Sequence, residues 1–108
     1  MQTTKLTSTQ INSLNFKEIS RNENSNHNAV LYSNEYFNPD FSSEFGGIRI
    51  NANIWNTFDS NGEERWSLKI PGAFSNPSLT GFNSHIELSS LEELEIQINK
   101  IKEALGLN

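Results

Sequence analysis

The chain has 108 residues with no cysteine, 13 acidic side chains against 8 basic ones, and a net charge of -5. That length holds one domain, 1–108, with one modest core. Missing cysteine excludes disulfides, thiolate metal sites and cysteine nucleophiles, and net acidity opposes direct binding to a phosphate backbone. With 19% charged and 34% hydrophobic residues the chain is not a disordered polyelectrolyte. Its polarity comes from Asn and Ser, which favour turns and caps, so short elements joined by irregular backbone are expected.

Leu6 to Leu14 reads as a short helix capped by Thr7 or Ser8, with Leu6, Ile11 and Leu14 apolar. Phe16 to Ser20 is a candidate first strand, Arg21 to Asn28 a polar loop, and Ala29 to Tyr32 a short second strand. Ser33 to Gly47 is less regular. Its aromatics Tyr36, Phe37, Phe41 and Phe45 indicate a loop packed onto the body.

Ile48 to Ile70 carries the clearest pattern, since apolar and polar residues alternate on both sides of Asn61-Gly62. That is the signature of a β-hairpin. Ile48, Ile50, Ala52, Ile54 and Phe58 are even-numbered, as are Trp66, Leu68 and Ile70. Opposed residues share a face of the sheet, so even must meet even, which requires an odd loop. A loop of Ser60, Asn61 and Gly62 with Gly62 left-handed satisfies this, whereas a two-residue turn would set Ile54 against Lys69.

Pro71-Gly72 ends that strand. Ala73 to Ser84 is a long loop with Phe74, Leu79 and Phe82, and His85 to Leu88 a short edge strand. Ser90 and Glu93 then form a capping box, and Leu91, Leu94, Ile98, Ile101 and Leu105 make one apolar stripe on a closing helix. Glu92, Glu93 and Glu95 near its start and Lys100 and Lys102 near its end suit the helix dipole; Gly106 suits the stop.

The expected fold is α+β: an antiparallel sheet of four or five strands, with the C-terminal helix packed on one face and a short N-terminal helix beside it. The expected core is Phe16, Ile19, Val30, Tyr32, Ile48, Ile50, Ile54, Leu68, Ile70, Leu91, Leu94, Ile98, Ile101 and Leu105.

Several residues are candidates for work. Trp55 points away from the Ile stripe, on the same side as Arg49, Arg65 and Lys69, and a Trp among cations is a contact hot spot unless the N-terminal helix or the aromatic loop covers it. Asp59, Glu63 and Glu64 make an acidic hairpin tip, too short and without flanking helices for a calcium loop. Ile96 lies on the helix face opposite the stripe and marks a partner surface or a lone exposed side chain. His85 could be joined on paper with Ser84 and Asp59 in a triad, but no Gly-x-Ser-x-Gly elbow accompanies it. Phosphate-cradling glycine loops are absent. No catalytic, cofactor or metal residue is expected, and the protein is read as a non-enzyme.

The N-terminus lacks the apolar stretch of a signal peptide, no run approaches a membrane span, and no Asn-x-Ser/Thr sequon occurs. The expected location is the cytoplasm, without membrane contact.

The order of elements runs from the short helix through Ser13-Leu14-Asn15-Phe16-Lys17-Glu18-Ile19 and a meander to the Leu91-Glu92-Glu93-Leu94 helix. It resembles the small orphan proteins of phages and mobile elements, some of which are anti-defence or anti-CRISPR inhibitors. The resemblance implies a protein-binding module, an acidic inhibitor that engages a basic surface on a nucleic-acid-handling or nuclease partner. Two other readings are an oligomer-forming accessory protein, associating through Trp55 or Ile96, and a small hydrolase using His85. The sequence leaves the oligomeric state open.

Overall fold

Two long strands and one amphipathic helix carry the architecture. The computed structural model describes residues 4–23, 28–40, 47–58, 61–71, 77–82 and 84–107. Helix α1 (Ser8–Ser13) leads into strands β1 (Lys17–Glu23), β2 (Asn28–Asn38), β3 (Ile48–Phe58) and β4 (Glu64–Lys69). A 3-10 helix (Pro77–Phe82), strand β5 (Ile86–Glu87) and helix α2 (Leu91–Ala104) complete the chain. The strands form one five-stranded sheet in the order β1-β2-β3-β4-β5, and every neighbouring pair is antiparallel. The fold is α+β.

The parity argument decides the hairpin register. Ile54 lies opposite Leu68, Asn56 opposite Trp66 and Phe58 opposite Glu64, so even meets even throughout. Gly62 takes a φ of 78°, the left-handed conformation expected of it. Asp59 and Ser60 lie outside the described residues.

Register between β2 and β3 continues the same face, with Tyr32 opposite Ile54 and Tyr36 opposite Ile50. Strand β2 is longer than the pattern Ala29–Tyr32 indicates and runs on to Asn38. Residues 33–38 are ladder, not loop. Ser33 and Asn34 hide the alternation, but the apolar face of β3 supplies a partner row for Tyr36. Phe41 and Phe45 lie outside the described residues, as does residue 27.

Ile19 is a correction to the expected core. Glu18 pairs with Tyr32 and Ser20 with Leu31, so Ile19 is an inserted residue without a partner. Alternation from Glu18 turns its side chain away from the core face, and it is 60% exposed.

Ten of the expected core residues are buried: Phe16, Val30, Tyr32, Ile54, Leu68, Ile70, Leu94, Ile98, Ile101 and Leu105. Ile50 and Leu91 are partly buried against them, and the side chain of Ile48 lies outside the described set. Leu6, Ile11, Tyr36, Ala52, Trp66, Leu79, Phe82 and Leu88 complete the cluster. Both helices sit on the even-numbered face. Ile11 of α1 and the α2 seam share the buried cluster with Tyr32 and Ile54, and a small cleft brings Leu14, Asn34, Tyr36 and Ile98 together.

Caps fix where each helix starts and stops. Thr7 and Gln10 form the reciprocal capping box of α1. At α2 only half of the expected box forms. Ser90 Oγ accepts from the Glu93 N–H at 3.2 Å, while the Glu93 carboxylate accepts from Ser89. Both helices end on paired bonds, Phe16 N to Ile11 O with Asn15 N to Asn12 O, and Leu107 N to Lys102 O with Gly106 N to Glu103 O. These are Schellman ends, and each needs a left-handed residue. Gly106 serves one and Asn15, at φ 73°, the other. Asn38 Nδ2 donates to the Leu105 carbonyl at 2.6 Å, satisfying an orphan acceptor and tying β2 to the end of α2.

The N-terminal segment is pinned to the start of α2. Leu91 N–H donates to Thr4 O at 2.8 Å, and Thr4 N–H donates to Glu92 Oε1 at 2.6 Å. The bonds from Thr4 hold the Glu92 carboxyl below its ordinary value of 4.5.

Two outcomes follow from this packing. Ile54→Ala leaves a cavity at the centre of the dry face and costs about 2–5 kcal/mol in urea unfolding. Glu92 stabilises the fold more when ionised than when neutral, because its folded pKa lies below the unfolded one. Its contribution is present above pH 4.5 and is lost as pH falls through the depressed value. Glu92→Gln therefore loses less stability than the parent between about pH 7 and about pH 3 in thermal melts.

Candidate functional site

The five-stranded sheet brings the sequence candidates to two places. One is its outer, odd-numbered face. Trp55 lies opposite Leu31 on one side and Ser67 on the other, half-buried. Arg65 and Lys69 stand two positions either side of Ser67 on β4, diagonal to Trp55. Trp55, Arg65 and Lys69 thus form one patch. Arg49 does not join it: it sits over the Phe37 ring at 4.5 Å, 3.6 Å from Glu35, toward the far end of β3. Helix α1 lies on the other face and does not cover Trp55.

The second place is the end of the sheet where β4, β5 and the start of α2 meet. Glu87 on β5 lies opposite Ser67. Its carboxylate is 3.6 Å from the Arg65 guanidinium, which is also 3.9 Å from Glu63. With Glu93 these residues line a depression of about 530 Å³, together with Trp66, Leu88 and Ser89. Two carboxylates share the Arg65 guanidinium and a third, Glu93, lines the same depression, so the concavity keeps a net negative charge. The pairs themselves are exposed, and such pairs contribute about 0–1 kcal/mol each. Their effect is a field and not a fold.

Of the expected acidic tip, Glu63 belongs to this depression. Glu64 is turned to the inner face opposite Phe58, and Asp59 lies outside the described residues. Glu87 and Glu93 were not among the sequence candidates for this end. Their sequence roles, edge strand and helix cap, give no sign that β5 brings Glu87 to Arg65 or that the start of α2 brings Glu93 to the same depression.

Ile96 is 54% exposed on the solvent side of α2. The sheet lies between it and Trp55, so the two do not make one surface. His85 is exposed, and its Nδ1 lies 3.3 Å from Ser67 Oγ. Among the described residues no group of three His, Asp or Glu could hold a metal ion, and no helix is long and apolar enough to cross a membrane.

No family model, curated protein or solved structure matches the chain.

Because Arg65 is exposed and divided between two carboxylates, Arg65→Ala lowers stability by less than about 1 kcal/mol in urea unfolding. A larger loss would show that the pairs hold β5 in place.

Proposed function

We propose that this protein works by binding another protein, and that its acidic end docks on a basic surface of that partner. The observation that carries this reading is the convergence of Glu63 from the hairpin loop, Glu87 from β5 and Glu93 from α2 on one concavity, with Arg65 as the one cation among its described lining residues. A field of one sign over a concave surface speeds and orients encounter with the opposite sign. Basic grooves that hold nucleic-acid phosphates are such surfaces. In this reading the partner handles nucleic acid, the protein occupies its groove and so inhibits it, and the setting is the cytoplasm of a cell invaded by a phage or mobile element.

The test is capture of host proteins on the immobilised chain at low and high salt, beside a Glu63→Lys, Glu87→Lys, Glu93→Lys triple variant. The parent retains a basic nucleic-acid-binding protein at low salt, loses it steeply with added salt, and competes with that protein's own nucleic acid. The variant retains none. Equal retention by parent and variant rejects the reading.

A further inference from the structure

The inner face of the sheet is not closed along its whole length. Toward the hairpin end Asn56 stands where the alternation calls for an apolar side chain, yet it is only 6% exposed. Its Nδ2 donates to the Arg65 carbonyl at 3.3 Å. Beyond it lies a groove of about 480 Å³, floored by Val30, Tyr32, Asn56 and Phe58 and walled by the segment from Lys5 to Ser8. No residue of α2 lines it. Its size is that of a recognition pocket, and its lining is mixed: Leu6, Val30, Tyr32, Phe58 and Trp66 are apolar or aromatic, while Lys5, Arg21 and Glu64 bring charge to its walls.

Trp66 links this groove to the acidic depression, because its side chain lines both. The ring stacks on Tyr32 with centroids 6.1 Å apart and 29° between planes. Its Nε1 is buried with no hydrogen-bond partner among the described residues, and a buried donor left unpaired costs about 1–3 kcal/mol. Glu64 stands at the near rim of the groove, and Glu63, Glu87 and Glu93 lie beyond Trp66. Burial pushes the Tyr32 hydroxyl above its ordinary value; the Glu18 and Glu64 carboxylates act in the same direction, and the Arg21 guanidinium opposes them. The hydroxyl therefore stays protonated and uncharged at neutral pH.

We infer that the two concavities form one docking surface, and that its occupant is a partner segment carrying an apolar side chain followed by lysine or arginine. The apolar side chain fills the groove between Val30, Phe58 and Trp66. The cations that follow cross Trp66 and meet the carboxylates. This inference rests on the protein-binding reading and names the sequence chemistry that reading leaves open. Charge complementarity at the depression selects the occupant: an uncharged small molecule would use the groove alone, and an acidic segment would be repelled at Glu63, Glu87 and Glu93, while Lys5 and Arg21 on the groove wall keep the cations of the segment on the far side of Trp66.

The probes are three blocked pentapeptides, Gly-Phe-Arg-Arg-Gly, Gly-Ala-Arg-Arg-Gly and Gly-Phe-Glu-Glu-Gly, titrated into the full isotope-labelled chain. The indole N–H resonances of Trp66 and Trp55 report the two faces of the sheet. The first peptide shifts the Trp66 resonance saturably and leaves Trp55 in place. The other two bind at least about tenfold more weakly. Ser8→Trp, which blocks the groove from an exposed position, abolishes the shift. Glu87→Gln with Glu93→Gln reduces it to the level of the alanine peptide. Equal shifts from all three peptides, or a shift at Trp55 alone, overturn the inference. So does a concentration-dependent mass in sedimentation that Ser8→Trp removes, since the occupant would then be a second copy. If the charge-reversed triple variant loses its captured protein while no peptide moves Trp66, the groove is rejected and the acidic end stands. If the first peptide binds while lysate capture is unchanged by charge reversal, the groove stands and the inhibitor reading is rejected.

Discussion

Ile54 and Leu68 face one another across β3 and β4 with no exposure, and Leu94, Ile98, Ile101 and Leu105 close over the same side of the sheet. This contact decides the rest. A strand shifted by one residue would put every one of its apolar side chains on the wrong face. The hairpin register, the side of the sheet on which the helices lie and the polarity of the outer face are therefore one constraint. The capping bonds and the pins at Thr4 and Asn38 add modest amounts to a geometry that burial has already chosen.

The constraint also disposes of the charges. With most of the even face dry, charged side chains gather on the outer face, the strand ends and the exposed surface of α2, while Asn34 and Asn56 keep polar places on the inner face. Two arginines on β3 and β4 find carboxylates nearby. The acidic excess gathers where β5 and the start of α2 add Glu87 and Glu93 to the hairpin's own Glu63. That concentration comes from topology, since β5 must lie beside β4 for it to exist.

Local periodicity made part of this legible in the sequence. Parity across residues 48–70 predicted both the register and the grouping of Trp55 with Arg65 and Lys69, because a two-residue repeat and one turn determine which side chains share a face. The α2 stripe and its Gly106 end were legible for the same reason. What was missed depends on partners distant in sequence. Nothing near Ile19 announces a bulge, which exists only relative to Tyr32 and Leu31. The extension of β2 through Asn34 depends on β3. Trp66 reads as one more apolar strand residue, and its place between two concavities appears only once Lys5–Ser8 and β5 are set against it. Asn15 was legible in principle, since Asn tolerates left-handed backbone, but it needed the end of α1 to be placed to the residue.

The inserted residue in β1 bears on how the sheet ends. An open antiparallel sheet exposes unpaired backbone along both margins, and another chain can add to it as a further strand. Here one margin carries the irregularity at Ile19 with the Glu18–Arg21 ion pair beside it, and the other is a strand of two residues. Neither offers a long, straight template. The geometry that spoils the apolar pattern of β1 is thus also a guard against fibrous growth.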